Sequence, residues 1–207
     1  MEKISDYQPI ENYSVIGDLN TVALVGLNGS IDFMCFPDFD SPTVFAALLD
    51  KQKGGFFRIA PLSESKAVKQ KQMYLPDTNV LLTRFLQKDG VGELTDFMPV
   101  ETMYIGKELI RSVSCAHGHL DFTMECCPRF DYGRASHSIK RVSDNEILFV
   151  GNDESKTLLR LLASFPLQIN DRDVSAKFTL NTGGKATVML EYISGKSRQA
   201  IDLGTFA

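Results

Sequence analysis

Two carboxylates two residues apart, Asp38 and Asp40, have a spacing that could make an acid–base pair. On an extended segment with a rise of ~3.3 Å per residue they share a face about 7 Å apart. That lies in the ~6.5 to 9.5 Å range in which one carboxyl protonates a leaving glycosidic oxygen while the other activates water. A structural reading competes and is the stronger. In Asp38-Phe39-Asp40-Ser41-Pro42, Asp40 or Ser41 supplies a helix cap, and Pro42 sits at the first helical position, where its missing N–H costs nothing. Val44, Phe45, Leu48 and Leu49 then follow at helical spacing. The segment predicts a short helix over 41–50, with Asp38 solvated in the turn before it.

A second charged cluster, Arg129-Phe130-Asp131-Tyr132-Gly133-Arg134, interleaves guanidinium and carboxylate with aromatic rings. Arg129, Asp131 and Tyr132 are suited to sugar hydroxyls or to bracing a neighbouring domain. The plainer reading, a strand-exit loop with local Arg–Asp pairing worth ~0 to 1 kcal/mol, carries more weight. His117 and His119 present two imidazoles, but no third ligand at metal-site spacing accompanies them. Asp32, within a strand, is expected to bond backbone or to pair with an arginine if it faces inward. Asp18 reads as a turn residue. Nothing matches a nucleophile–histidine arrangement, a phosphate-cradling glycine loop or a dinucleotide fingerprint. The chain offers no metal site and no cofactor site.

These residues hang on strands. Thr21–Gly26 and Ser30–Phe36 flank Asn28-Gly29, the strongest short hairpin signal, and predict a type I′ turn. Residues 56–60, 80–87 and 92–98 alternate as strands, the last two joined at Lys88-Asp89-Gly90. Residues 63–72 read as a loop or exposed edge strand. Glu108–Ala116 and Leu120–Cys127 predict a hairpin joined at His117-Gly118-His119. Residues 139–142, 146–150, 157–163, 174–180 and 186–193 complete the set, with Gly183-Gly184 as a hairpin turn; 158–162 also fits a helical turn. Strands every 8 to 12 residues predict an all-β protein, a large antiparallel β-sandwich of two packed sheets.

Composition bounds the partners. The 207 residues carry 43% hydrophobic side chains and a net charge of −4, with pI about 5.4. No overall field favours nucleic acid or anionic membrane. No apolar run approaches the ~20 residues of a membrane span, and the amino terminus lacks the apolar core of a secretory signal. A cytoplasmic location is the expectation. Cys35, Cys115, Cys126 and Cys127 lack metal-type spacing and read as reduced thiols.

Several ordered blocks carry more information than any single motif. Pro9-Ile10-Glu11-Asn12-Tyr13, Ile16-Gly17-Asp18, Gly29-Ser30-Ile31-Asp32 and Phe39-Asp40-Ser41-Pro42 precede Phe45-Ala46-Ala47-Leu48-Leu49. Tyr74-Leu75-Pro76-Asp77-Thr78-Asn79-Val80-Leu81, Thr95-Asp96-Phe97-Met98-Pro99 and Pro128 through Arg134 continue the series. Together they resemble the amino-terminal domain of bacterial and archaeal glycoside hydrolase family 15 proteins, the glucoamylase and trehalase-like enzymes. Phe33 departs from the pattern, where many members carry tryptophan.

The resemblance implies a large β-sandwich over 1–195, with 196–207 starting a linker toward a helical (α/α) barrel that holds both catalytic glutamates. On that basis this chain holds no catalytic residue and is silent alone. Its partner is a helical catalytic domain of the same or an adjacent polypeptide. Asp38, Asp40, Arg129, Asp131 and Tyr132 are then candidates for the substrate rim or the domain interface. The alternative is a stand-alone module for α-glucan or trehalose, using tyrosines such as Tyr74, Tyr104 and Tyr132. The absence of tryptophan, the largest sugar-stacking platform, weakens it.

Overall fold

A computed structural model describes residues 7–62, 68–100 and 107–193. Apolar and polar residues alternate along much of this length, and the elements follow that period of two. In chain order they are β1 (Tyr13–Gly17), β2 (Val22–Gly26), β3 (Ser30–Cys35), β4 (Thr43–Phe45), β5 (Phe56–Pro61), β6 (Lys69–Tyr74), β7 (Leu81–Leu86) and β8 (Gly90–Phe97). The long β9 (Lys107–Cys127) follows, then a single helical turn, α1 (Phe130–Gly133). β10 (His137–Arg141), β11 (Glu146–Gly151), β12 (Leu158–Ala163), β13 (Gln168–Asn170), β14 (Asp173–Asn181) and β15 (Lys185–Tyr192) complete the series.

All pairings are antiparallel and form two sheets that share β9. One sheet runs β1-β2-β3-β5-β9-β14-β13, with β4 beside β3; the other runs β6-β7-β8-β9-β15-β12-β11-β10. The first half of β9 pairs with β8 and β15, and the second half with β5 and β14. Strict alternation in β7 and β8 turns one face of each strand into the core and leaves the other half-buried. Phe57, Phe85, Phe122 and Phe149 lie in one contiguous apolar core, where burial contributes about 1.5–3 kcal/mol per large side chain.

β9 differs from the hairpin expected at His117-Gly118-His119. Its halves never pair with each other. Gly118 takes φ +81°, and the strand bends there so that the two halves lie in opposite sheets. The Gly183-Gly184 turn differs likewise: it carries the chain from β14 in one sheet to β15 in the other. The β2–β3 reversal forms where expected, but not as a type I′ turn. The Gly29 N–H donates to the Gly26 carbonyl at 2.9 Å, and in this turn only Gly29 takes positive φ, at +76°.

The helix predicted over 41–50 is absent. Residues 43–45 form β4, in which Thr43 and Phe45 register with Cys35 and Met34. Tertiary hydrogen bonds claim the neighbouring backbone: Ala46 and Ala47 donate to the Gly54 and Gly55 carbonyls, and Arg129 donates to Val44. The spacing of Val44, Phe45, Leu48 and Leu49 misled because a short strand buried on both faces mimics part of a helical stripe. Leu49, which that stripe would bury, is 63% exposed. Among the described residues the short helical turns lie at Ile10–Asn12, a 3-10 turn, and at Phe130–Gly133 instead. The ambiguous 158–162 segment is strand β12, and Lys69–Tyr74 forms the exposed edge strand. The expected linker at 196–207 lies outside the described residues.

Candidate functional site

The bend in β9 brings the two charged clusters to one end of the sandwich. Asp38 and Asp40 lie on the loop between β3 and β4, which begins with a cis Phe36–Pro37 peptide. The Ser41 N–H donates to the Asp38 carbonyl at 3.1 Å, and Ser41 Oγ accepts from the Asp38 N–H at 3.1 Å. This closed turn overturns both readings of the pair: the segment is not extended, and there is no helix to cap. Asp38 is ion-paired with Lys107 Nζ, which also donates to the Pro37 carbonyl at 3.2 Å. Asp40 is exposed. Asp38 is thus engaged by a lysine, and among the described residues no second carboxylate is seen facing it across a gap.

The second cluster sits beside β4. Asp131 (φ 51°, ψ 56°), Tyr132 (φ 56°, ψ 33°) and Gly133 (φ 76°) form a left-handed turn. The left-handed conformation costs roughly 1–2 kcal/mol for each non-glycine residue, so several contacts must hold it. Phe130 is 1% exposed, the Tyr132 N–H donates to Thr43 Oγ1 at 3.1 Å, and the Arg134 N–H donates to the Asp131 carbonyl at 3.0 Å. Asp131 pairs with Arg134 at 2.6 Å. The Arg134 guanidinium lies 5.5 Å from the Tyr132 ring centroid. Arg129 turns away and grips Asp173 with two hydrogen bonds of 2.6 and 3.1 Å. Local pairing therefore describes Asp131, while Arg129 ties the exit of β9 to the start of the neighbouring β14.

Neighbouring ionisable groups are held in their neutral forms. Burial, followed by the charge of Asp173, pushes the Cys127 thiol up to about 12. Burial lowers His137, whose ring sits edge-on between Phe130 and Phe149. Tyr13 is raised above the ordinary phenol value, first by burial and then by its 2.6 Å hydrogen bond to Asp32. Asp32 also accepts from Ser30 Oγ at 2.5 Å, so it takes hydroxyl partners and no arginine. Asp18 is the expected turn residue, its Oδ1 accepting from the Asn20 and Thr21 N–H groups at 2.9 and 2.8 Å.

His117 and His119 lie at the β9 bend, away from both clusters; His119 Nδ1 is 2.9 Å from Asn181 Oδ1. Among the described residues, no group of His, Cys, Asp and Glu side chains gathers to hold a metal ion. No helix among them is long and apolar enough to cross a membrane. A depression of about 250 Å³ is bordered by Arg58, Leu62, Val68, Gln70 and Phe85, and its described lining includes no carboxylate. Sequence reasoning missed Lys107, Asp173 and Thr43 as partners, because each pairing spans 44 to 89 residues. It also missed the buried Arg111–Asp96 pair, whose signal was position: both share the inward phase of their strands with Val113 and Leu94.

Fold and site together define a two-sheet antiparallel sandwich domain in which Asp38, Asp131 and Asp173 are tied into ion pairs and Asp18 into a turn. The chain belongs to the family described as trehalase-like, N-terminal, whose model matches residues 4–203. It is 37% identical over 173 residues to a trehalase of Thermoplasma volcanium, covering 81% of this chain and 26% of that protein. A trehalase of Mycolicibacterium smegmatis is 29% identical over 210 residues, covering 90% and 30%. Trehalase 1 of Sulfolobus acidocaldarius is 37% identical over 151 residues, covering 73% and 25%. The chain thus spans about a quarter to a third of the curated relatives it matches.

Proposed function

We propose that this chain is the non-catalytic amino-terminal accessory domain of a family 15 glucoside hydrolase of trehalase or glucoamylase type, working in carbohydrate metabolism in the cytoplasm. It docks on a helical catalytic barrel of the same or an adjacent polypeptide, stabilises it, and lends the Asp38–Pro42 loop to the active-site rim. The carrying observation is the share of each relative that remains unmatched, roughly two thirds to three quarters. The ion pair between Asp38 and Lys107 supports it, since hydrolysis needs two carboxyls flanking the bond and this pair engages one of the two that the sequence offered. Four free cysteines accord with a reducing compartment. Nucleic acid and membrane are not partners on this reading.

A stand-alone α-glucan or trehalose module is the second reading, favoured by the exposure of Tyr132. Against it, Arg134 covers one face of that ring, which leaves a single face for a sugar, and the chain has no tryptophan to add a larger platform. The purified chain is expected to release no glucose from trehalose or maltooligosaccharides and to give no heat on calorimetric titration with either. Hydrolysis by the chain alone would sink the accessory-domain reading, and millimolar binding lost in Tyr132→Ala would replace it with the second.

A further inference from the structure

β4 is only three residues long and fully buried, yet the segments before it, after it and bonded to it each carry an exposed apolar side chain. Phe39, four residues before it, is 58% exposed; Leu49, four residues after it, is 63% exposed; Tyr132, bonded to it through Thr43, is 46% exposed. The turn carrying Leu49 continues to Lys53, and a Cβ on Gly133 would meet the Lys53 carbonyl oxygen at 2.8 Å, so these two turns are in close contact. Exposed apolar side chains clustered on fixed backbone mark an interaction surface more than scattered ones do. Tyrosine and arginine are also the residue types enriched at the energetic centre of protein interfaces. The left-handed turn fixes both before binding, which reduces the ordering cost of association.

The position of this rim identifies its occupant. β15 ends at Tyr192, in register with Lys107, the residue that binds Asp38 and the Pro37 carbonyl. The Tyr192 and Phe36 ring centroids are 6.0 Å apart, so the chain leaves the last described strand beside the loop that carries Phe39. We propose that the rim formed by Phe39, Leu49 and Tyr132, with Arg134 on the tyrosine ring, is where the polypeptide that follows this domain in the longer relatives folds back and docks. This rests on the accessory-domain reading and adds the surface to it.

The test joins this chain to the carboxy-terminal remainder of the Thermoplasma volcanium relative and compares amide hydrogen exchange in the joined and separate chains. Slowing of exchange by tenfold or more at residues 37–54 and 128–135 is expected, together with its loss in a Tyr132→Ala, Phe39→Ser variant whose β9 amides exchange as in the parent. Protection elsewhere on the sandwich would overturn the rim and leave docking intact. No protection anywhere would overturn docking and the rim together. Protection of the rim by trehalose in the separate chain, without protection by the remainder, would reassign it to sugar.

Discussion

Arg111 and Asp96 face each other across β9 and β8 at the centre of the sandwich, 2.8 Å apart at their closest, with neither side chain reaching solvent. A second hydrogen bond of 3.2 Å makes the pair bidentate. The same guanidinium donates to the Phe57 and Gly29 carbonyls of the opposite sheet at 2.5 and 2.8 Å, and it stacks 4.8 Å from the Phe57 centroid. One side chain thereby ties the two layers where apolar packing alone would not fix their register.

Asp96→Ala leaves that guanidinium buried without its counter-charge and is expected to cost about 3–5 kcal/mol in urea unfolding. Asp96→Leu combined with Arg111→Met removes both charges, and Gly29 O keeps its hydrogen bond from the Ile59 N–H. The double variant should lose less than Asp96→Ala. A double-mutant cycle showing no coupling between the two sites would refute the pairing.

Two left-handed glycines separate conformation from contact. At Gly29 (φ +76°) an added Cβ would meet the Ile59 carbonyl oxygen at 2.2 Å, whereas at Gly183 (φ +82°) nothing lies within 4 Å. Gly183→Ala pays only for φ, about 1 kcal/mol. Gly29→Ala must also push two strands apart and is expected to lose more than about 2 kcal/mol. Equal losses in thermal unfolding would contradict the close approach of β3 and β5.

The strands were legible because the period of two is written in residues such as Leu81, Thr83 and Phe85, all facing the core. Two failures share one cause. Gly118 looks like a hairpin tip and Val44 to Leu49 like a helix, since turn chemistry and stripe spacing are local, while the pairing that decides them is not. Nothing near Lys107 reports that Pro37 and Asp38 lie beside it. The left-handed turn at Asp131 and Tyr132 was illegible for a related reason: its support comes from Thr43, 89 residues away.

His137 gives the chain a pH response of fixed sign. Burial among Phe130 and Phe149 lowers its folded value below the ordinary 6.5. The unfolded chain therefore takes up the proton first. Stability from this group is complete above about pH 6.5 and declines as pH falls from there toward the folded value. Subtracting the stability–pH curve of His137→Gln from that of the parent should give a difference that is flat above 6.5 and falls below it. A difference that rises as pH falls would mean the imidazolium is the form stabilised by the fold.

Leu19 holds a left-handed conformation (φ 72°) with its side chain 83% exposed, so the strain has no packing return in this chain. The turn is held by Asp18 Oδ1 and by the 2.9 Å hydrogen bond from the Phe39 N–H to the Asn20 carbonyl. Neither contact uses the leucine side chain. Glycine removes a conformational cost of about 1–2 kcal/mol and adds unfolded-state entropy of about 0.4–1 kcal/mol. Leu19→Gly should therefore stabilise by about 0.5–1 kcal/mol in thermal unfolding, while Leu19→Ala, which keeps a Cβ at positive φ, should change stability by less than about 0.5 kcal/mol. Destabilisation by glycine would show that the unfolded-state entropy outweighs the relief of the positive φ, and the strain assigned to Leu19 would be refuted.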